Sequence, residues 1–172
     1  MDLEDVGVTG GSSTYTEAEF EDRRRRLRRY VVEDTAGVWV LVREAAPTHV
    51  GMVICRFRDF DNEPATEANA FLLRRLDREL FPDDGRFTEI YQLWMAPQFR
   101  RQRLATRLKQ TVEAETRRRG VGLIYTHTEA ANPHVIDFNL KPGYREVRRG
   151  LLWDEVVRVS LTKTLEGAPS RR

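Results

Sequence analysis

The chain has 172 residues, enough for one domain with a real core and too few for two ordinary ones. It is 40% hydrophobic and 33% charged, with a net charge of +2, and no apolar run approaches the ~20 residues of a membrane span. These figures exclude a membrane-embedded protein, and the near-neutral charge argues against nucleic acid as the main partner.

Residues 1–13, rich in Gly, Ser and acids, lack periodicity and read as a mobile arm before a single domain over 14–165. The acidic start, Met1-Asp2-Leu3-Glu4-Asp5, lacks the basic-then-apolar order of a secretory signal. With Cys55 the only cysteine, set in the apolar run Val53-Ile54-Cys55 and read as a core thiol, this predicts a reducing, cytoplasmic setting. Thr16 and Glu19 form a capping box for a first helix, on which Phe20, Leu27 and Val31 mark the inward face down to about Glu33. Its arginines, Arg23 to Arg26 and Arg28-Arg29, follow Glu17, Glu19, Glu21 and Asp22 and read as a locally paired, solvated face.

Two strand-like runs, 38–42 and 50–57, predict an antiparallel hairpin. Pro64 opens a second amphipathic helix through Ala68, Phe71, Leu72, Leu76 and Leu80, stopped near Pro82-Asp83-Asp84-Gly85. A strand over 88–95 follows, ended by Ala96-Pro97, then a helix from about Leu104 to Arg119 with Leu104, Leu108 and Val112 inward and Gly120 as its C-cap. Val121–Thr128 reads as a buried strand, Pro133–Leu140 as a short helix and Pro142-Gly143 as a turn. Two strands finish the fold, the last with Val157, Val159 and Leu161 alternating with Arg158, Ser160 and Thr162, and the tail 166–172 reads as disordered. The order predicts an α/β fold with a mixed sheet, without internal repeat or linker.

A strand that ends at a proline, enters a basic loop and becomes a helix presents free backbone N–H groups and a helix dipole at the turn. An anion is the natural occupant. Arginine, clustered here as Arg100-Arg101-Arg103, suits phosphate. The run Leu93-Trp94-Met95-Ala96-Pro97-Gln98-Phe99-Arg100-Arg101-Gln102-Arg103-Leu104-Ala105 resembles the signature of the GNAT N-acyltransferase superfamily, an Arg or Gln, two residues, Gly, one residue, then Gly or Ala. Downstream, Asn132-Pro133-His134-Val135-Ile136-Asp137-Phe138-Asn139-Leu140-Lys141-Pro142-Gly143-Tyr144 resembles the family's Asn-rich helix and its Lys-x-Gly-aromatic turn.

The resemblance implies the GNAT fold, a mixed, mostly antiparallel central sheet of about six to seven strands flanked by helices. It implies transfer of an acetyl group from acetyl-CoA, as co-substrate and without a metal, to a primary amine by direct attack in a ternary complex. It places the pyrophosphate on the backbone of Arg101, Gln102, Arg103, Leu104 and Ala105, continuing to Thr106, with Arg100 adding charge. Trp94 and Met95 would pair with the pantetheine arm, Asn132 would contact the same arm, and the Met95 N–H would be the oxyanion donor. Arg103 stands where the family has its first Gly, and a position opening a helix predicts a helical φ there.

Amide formation from an amine and a thioester needs a proton acceptor, an oxyanion donor and solvation of the departing thiolate. Glu89, eleven residues before Arg100, matches the place of a catalytic acid in several family members and is taken as the base. The competing role is an exposed strand glutamate balancing Arg86 or a neighbouring lysine or arginine. Asn139 aligns with the family's usual general-acid Tyr; it cannot protonate a thiolate but can offer the sulfur a hydrogen bond. Tyr91, Tyr125 and Tyr144 read as packed strand aromatics, with a spatial substitute for the missing general acid as their alternative role.

His127-Thr128-Glu129 lacks the paired cysteines of a zinc deaminase, His134 has no metal spacing, and no nucleophile elbow occurs. A non-catalytic acyl-CoA-binding or regulatory module is the alternative reading, motivated by Arg103 and Asn139. The acceptor stays open among antibiotic, polyamine, amino acid, peptide N-terminus and protein lysine, as does homodimerisation. The helix Glu63–Leu80 and the first helix are expected to shape the acceptor pocket, with Glu67, Asp77 and Glu79 as its acids.

Overall fold

A computed structural model describes residues 16–44, 48–62, 76–152 and 155–166. The elements in order are α1 (Glu17–Val32), β1 (Ala36–Arg43), β2 (Thr48–Asp59), a 3₁₀ turn (Arg78–Leu80), β3 (Arg86–Met95), a second 3₁₀ turn (Pro97–Phe99), α2 (Leu104–Arg118), β4 (Leu123–Glu129), α3 (Pro133–Leu140), β5 (Arg145–Leu151) and β6 (Val157–Thr164). Six strands form one mixed sheet in the order β1-β2-β3-β4-β6-β5. Its one parallel pairing among the described registers is β3 with β4; β1–β2, β4–β6 and β5–β6 are antiparallel. The chain separates into two compact units, Met1–Arg56 with Tyr91–Val112, and Phe57–Ile90 with Glu113–Arg172. β2, β3 and α2 run from one into the other.

In the first unit the expected hairpin is present, Ala36 facing Arg56 and Arg43 facing Thr48, with an irregularity between Leu41 and Val42. Val53, Ile54 and Cys55 are buried, as their unbroken apolar run implied. α1 packs on β1. Its inward face differs from the expected one: Val31 is 70% exposed, whereas Leu27 is half-buried and Tyr30 stacks on Tyr91 with ring centroids 5.1 Å apart. Arg24 pairs with Glu21 at 2.8 Å and Arg29 with Glu33 at 3.0 Å, so the helix's charges compensate one another along its surface.

The second unit is organised around Leu76, Phe81, Phe87, Leu123, Tyr125 and Leu152, with Phe60 and Leu80 packed against them. Fully burying one such aromatic is worth about 1.5–3 kcal/mol. The expected helix from Pro64 to Leu80 falls mostly outside the described residues, including Ala68, Phe71, Leu72 and Glu67. Where described it differs: Arg78–Leu80 is a single 3₁₀ turn, and Asp77 and Glu79 are exposed. Arg78 explains the local stop, donating to the carbonyls of Phe81, Pro82 and Asp83 while its fork holds Asp61 at 2.8 and 2.9 Å. α2 closes at Gly120, which adopts φ 67°. The arm 1–13 and most of the 166–172 tail also lie outside the described residues. Among the described residues no helix is long and apolar enough to cross a membrane.

Candidate active site

The first unit carries the strand, the loop and the start of the helix that the sequence assigned to acetyl-CoA. β3 ends at Met95, and the next residue donates its N–H to Val50 of β2 at 2.9 Å. Pro97 opens the 3₁₀ turn, closed by a bond from Arg100 N to Pro97 O at 3.2 Å. Arg101 then takes φ 59° and Arg103 φ 60°. The expectation of a helical φ at Arg103 is therefore wrong: the residue adopts the left-handed conformation for which glycine is the low-cost choice, at a cost of about 1–2 kcal/mol. Its carbonyl accepts from Arg107 N at 3.1 Å, which makes Arg103 the residue that caps α2. Leu104, Ala105 and Thr106 thus form the first turn, whose N–H groups have no intrahelical acceptor.

The side chains divide by exposure. Arg101, Gln102 and Arg103 are exposed, while Arg100, Leu104, Ala105 and Thr106 are half-buried. Gln102 donates to Gln98 O at 3.3 Å. Arg100 directs its Nε to Met95 O at 3.1 Å, so this arginine ties the loop to the end of β3 as well as bringing charge. Met95 is buried and Trp94 half-buried. Gly51 makes room for them: a Cβ there would run into the Met95 side chain and come within 3.0 Å of Trp94 O.

Glu89, Asn132 and Asn139 belong to the second unit. Glu89 is 2% exposed and accepts a bond from Arg58 Nη1 at 2.7 Å, in an ion pair buried on both sides. The competing reading is thus wrong on exposure and on Arg86, but right that an arginine balances Glu89. Arg86 instead donates to Arg119 O at 2.7 Å and lies 4.0 Å from Asp84. On β4, Tyr125 is the register partner of Glu89, and its hydroxyl shares a 3.0 Å hydrogen bond with Ser160. Burial pushes the Tyr125 pKa up, and Ser160, as its hydrogen-bond partner, only partly offsets the shift. Tyr144, likewise buried, is raised chiefly by desolvation, with the charge of Glu113 adding to it. Both are packed aromatics that hold their protons; Tyr91 differs, being 37% exposed.

Asn132 precedes α3 and caps it through its backbone: its carbonyl accepts from Val135 and Ile136, and its side chain makes no capping bond. Asn139 is buried, and its Nδ2 donates to Val135 O at 2.8 Å, one turn back on the same helix. The residue that sequence reasoning missed is Arg58. Its signal was present, because Arg56 and Arg58 interrupt an otherwise apolar strand at a period of two.

The strand, basic loop and helix belong to a mixed α/β sheet of the kind the resemblance implied. The model of the acetyltransferase (GNAT) family matches residues 11–144, and the chain belongs to that family. Among solved structures, NAA60 of Arabidopsis thaliana in complex with acetyl-CoA is similar with a TM-score of 0.63 at 17% identity, 97% of each chain being covered. The ribosomal-protein-S18-alanine N-acetyltransferase of Escherichia coli is similar with a TM-score of 0.59 at 10% identity, over 100% of this chain and 95% of that one. At such identities the likeness concerns the fold. No curated protein matches by sequence.

Proposed function

We propose that this protein is an acetyl-CoA-dependent N-acetyltransferase that acts in the cytoplasm on a primary amine, by direct attack in a ternary complex. The observation that carries the reading is the loop: Arg101 and Arg103 held at φ 59° and 60° immediately before the first turn of α2. Non-glycine residues held at positive φ carry a cost, and such positions cluster at ligand clamps and active sites. With the helix N-terminus and three arginines, the loop suits a pyrophosphate.

In this reading the N–H groups of Arg101 to Thr106 hold the pyrophosphate, and Trp94, Met95 and Asn132 hold the pantetheine arm. Acetyl-CoA supplies the thioester. Glu89 takes the proton of the attacking amine as the new C–N bond forms, the Met95 N–H stabilises the oxyanion, and the C–S bond breaks to release CoA thiolate. Asn139 offers the departing sulfur a hydrogen bond.

A second reading, an acyl-CoA-binding module without turnover, draws support from the Asn139 amide being turned back to Val135. The two separate in one experiment. Calorimetry at millimolar acetyl-CoA, followed by a panel of amines including peptide N-termini, polyamines and amino acids with free CoA as the readout, should give both binding and thiol release. Binding without release from any amine leaves the second reading; no binding defeats both.

A further inference from the structure

The sequence offered a base but nothing that would hold it, and the second unit supplies the missing part. Glu89 is buried on β3, and a carboxylate removed from water is retained at reasonable cost only beside a counter-charge. Arg58, on the last turn of alternation in β2, provides it at 2.7 Å, with the two side chains 2% and 3% exposed. The guanidinium is itself fixed: it lies 5.7 Å over the ring of Phe87, a fully buried member of the aromatic core. Phe87 is in turn held by Phe81, at a ring separation of 4.5 Å, and by Tyr125 at 6.2 Å. A buried cluster of tilted and edge-on aromatic rings therefore sets the guanidinium, and the guanidinium sets the carboxylate. Besides Arg58 on β2, the titratable group facing Glu89 across the sheet is Tyr125 on β4, which keeps its proton.

We propose that Arg58 is a positioning residue for acetyl transfer, holding the Glu89 carboxylate in a single rotamer through the buried 2.7 Å ion pair. The proposal rests on the reading of Glu89 as the base. Its expected signature is a loss of turnover that passes through Glu89.

The test is a double-mutant cycle of Arg58→Gln, Glu89→Gln and the pair, read by kcat, by kcat/KM and by acetyl-CoA affinity. Arg58→Gln should lower kcat by roughly 10- to 100-fold, a substantial part of what a positioned base supplies. It should lower kcat/KM as well and leave acetyl-CoA affinity unchanged. In the Glu89→Gln background the same change should alter kcat by less than about twofold, because coupled residues are not additive. Equal losses in the two backgrounds would make Arg58 merely structural and overturn the proposal. Should Arg58→Gln fail to fold, Arg58→Lys, which keeps the charge and loses the fork, enters the same cycle under the same criterion. Wild-type turnover in Glu89→Gln alone would instead remove the base assignment, and this inference with it.

Discussion

The left-handed backbone at Arg103 makes a prediction of sign. Replacing Arg103 with Gly removes a conformational penalty of about 1–2 kcal/mol and returns about 0.5–1 kcal/mol of freedom to the unfolded chain, for a net stabilisation of about 0.5–1 kcal/mol. Arg107, exposed and one turn into α2, provides the control, since Gly in a helix interior costs about 0.8–1 kcal/mol. The same Arg→Gly exchange four residues apart should thus act in opposite directions. For a chain of this size 1 kcal/mol moves Tm by about 2–4 °C, so Arg103→Gly should melt about 1–4 °C above the parent and Arg107→Gly about 2–4 °C below it. Thermal melts monitored by circular dichroism, with urea midpoints at unchanged slope as a check, give the answer. If Arg103→Gly melts at or below the parent, the φ of 60° carries no cost and the argument for a retained, functional loop conformation fails. Acetyl-CoA affinity of the same variant adds a second test. Loss of a guanidinium that acts as a charge on the pyrophosphate should weaken binding at low salt and matter less as salt is raised.

Three further outcomes follow from the geometry. Glu89→Gln should reduce kcat by roughly 10²-fold or more while sparing acetyl-CoA affinity, as measured by steady-state kinetics beside calorimetry; unchanged turnover removes Glu89 from the mechanism. Gly51→Ala places a Cβ against the Met95 side chain and 3.0 Å from Trp94 O, so overpacking should cost about 1–3 kcal/mol in urea denaturation and weaken acetyl-CoA binding. Glu115 accepts from Arg118 at 2.6 and 2.7 Å and from Arg119 at 2.7 Å, which lowers its pKa from 4.5 to about 2. A carboxyl depressed in the fold stabilises above its unfolded pKa and ceases to do so as pH falls through the folded one. With Arg118 largely in solvent the contribution is about 1 kcal/mol, so Glu115→Gln should be weaker by that amount at pH 7. The gap to the parent should close between pH 4.5 and about 2, and a gap persisting at pH 2 would refute the assignment.

Much of the fold was legible because single residues punctuate it. Pro133 and the Pro142-Gly143 turn bracket α3, and the predicted 133–140 span is the observed one. Gly120 stops α2 within a residue of the expected end. Where periodicity alone decided, reading was less secure. On α1 the i, i+4 pair Leu27 and Val31 looked like the buried stripe, yet Leu27 and Tyr30, an i, i+3 pair, face inward, because the Tyr30 ring finds Tyr91 and the guanidinium of Arg56 5.7 Å from its centroid. An apolar pattern states which residues avoid water, and only a neighbouring element states which of two adjacent stripes does so.

The site divides along the same line. The loop 100–105 was readable because its chemistry is that of the backbone, and backbone geometry follows from local order: strand, proline, basic turn, helix. The mistaken helical φ at Arg103 is the exception that tests this. The family's glycine at that place was the better guide to conformation than the side chain that replaces it, since the turn imposes φ 60° on whatever residue stands there. Glu89 could be placed by its distance from the loop, but its environment could not, because its counter-ion lies 31 residues away on another strand. A charged residue at a strand's inward period is the one local sign of such a pair. Arg58, two residues after Arg56 in a run with Ile54 and Cys55, carried that sign. A carboxylate that the sequence reads as a base without a holder and a basic residue that it leaves unexplained on the neighbouring strand are one feature, and once Glu89 is buried the physics of desolvation requires its partner.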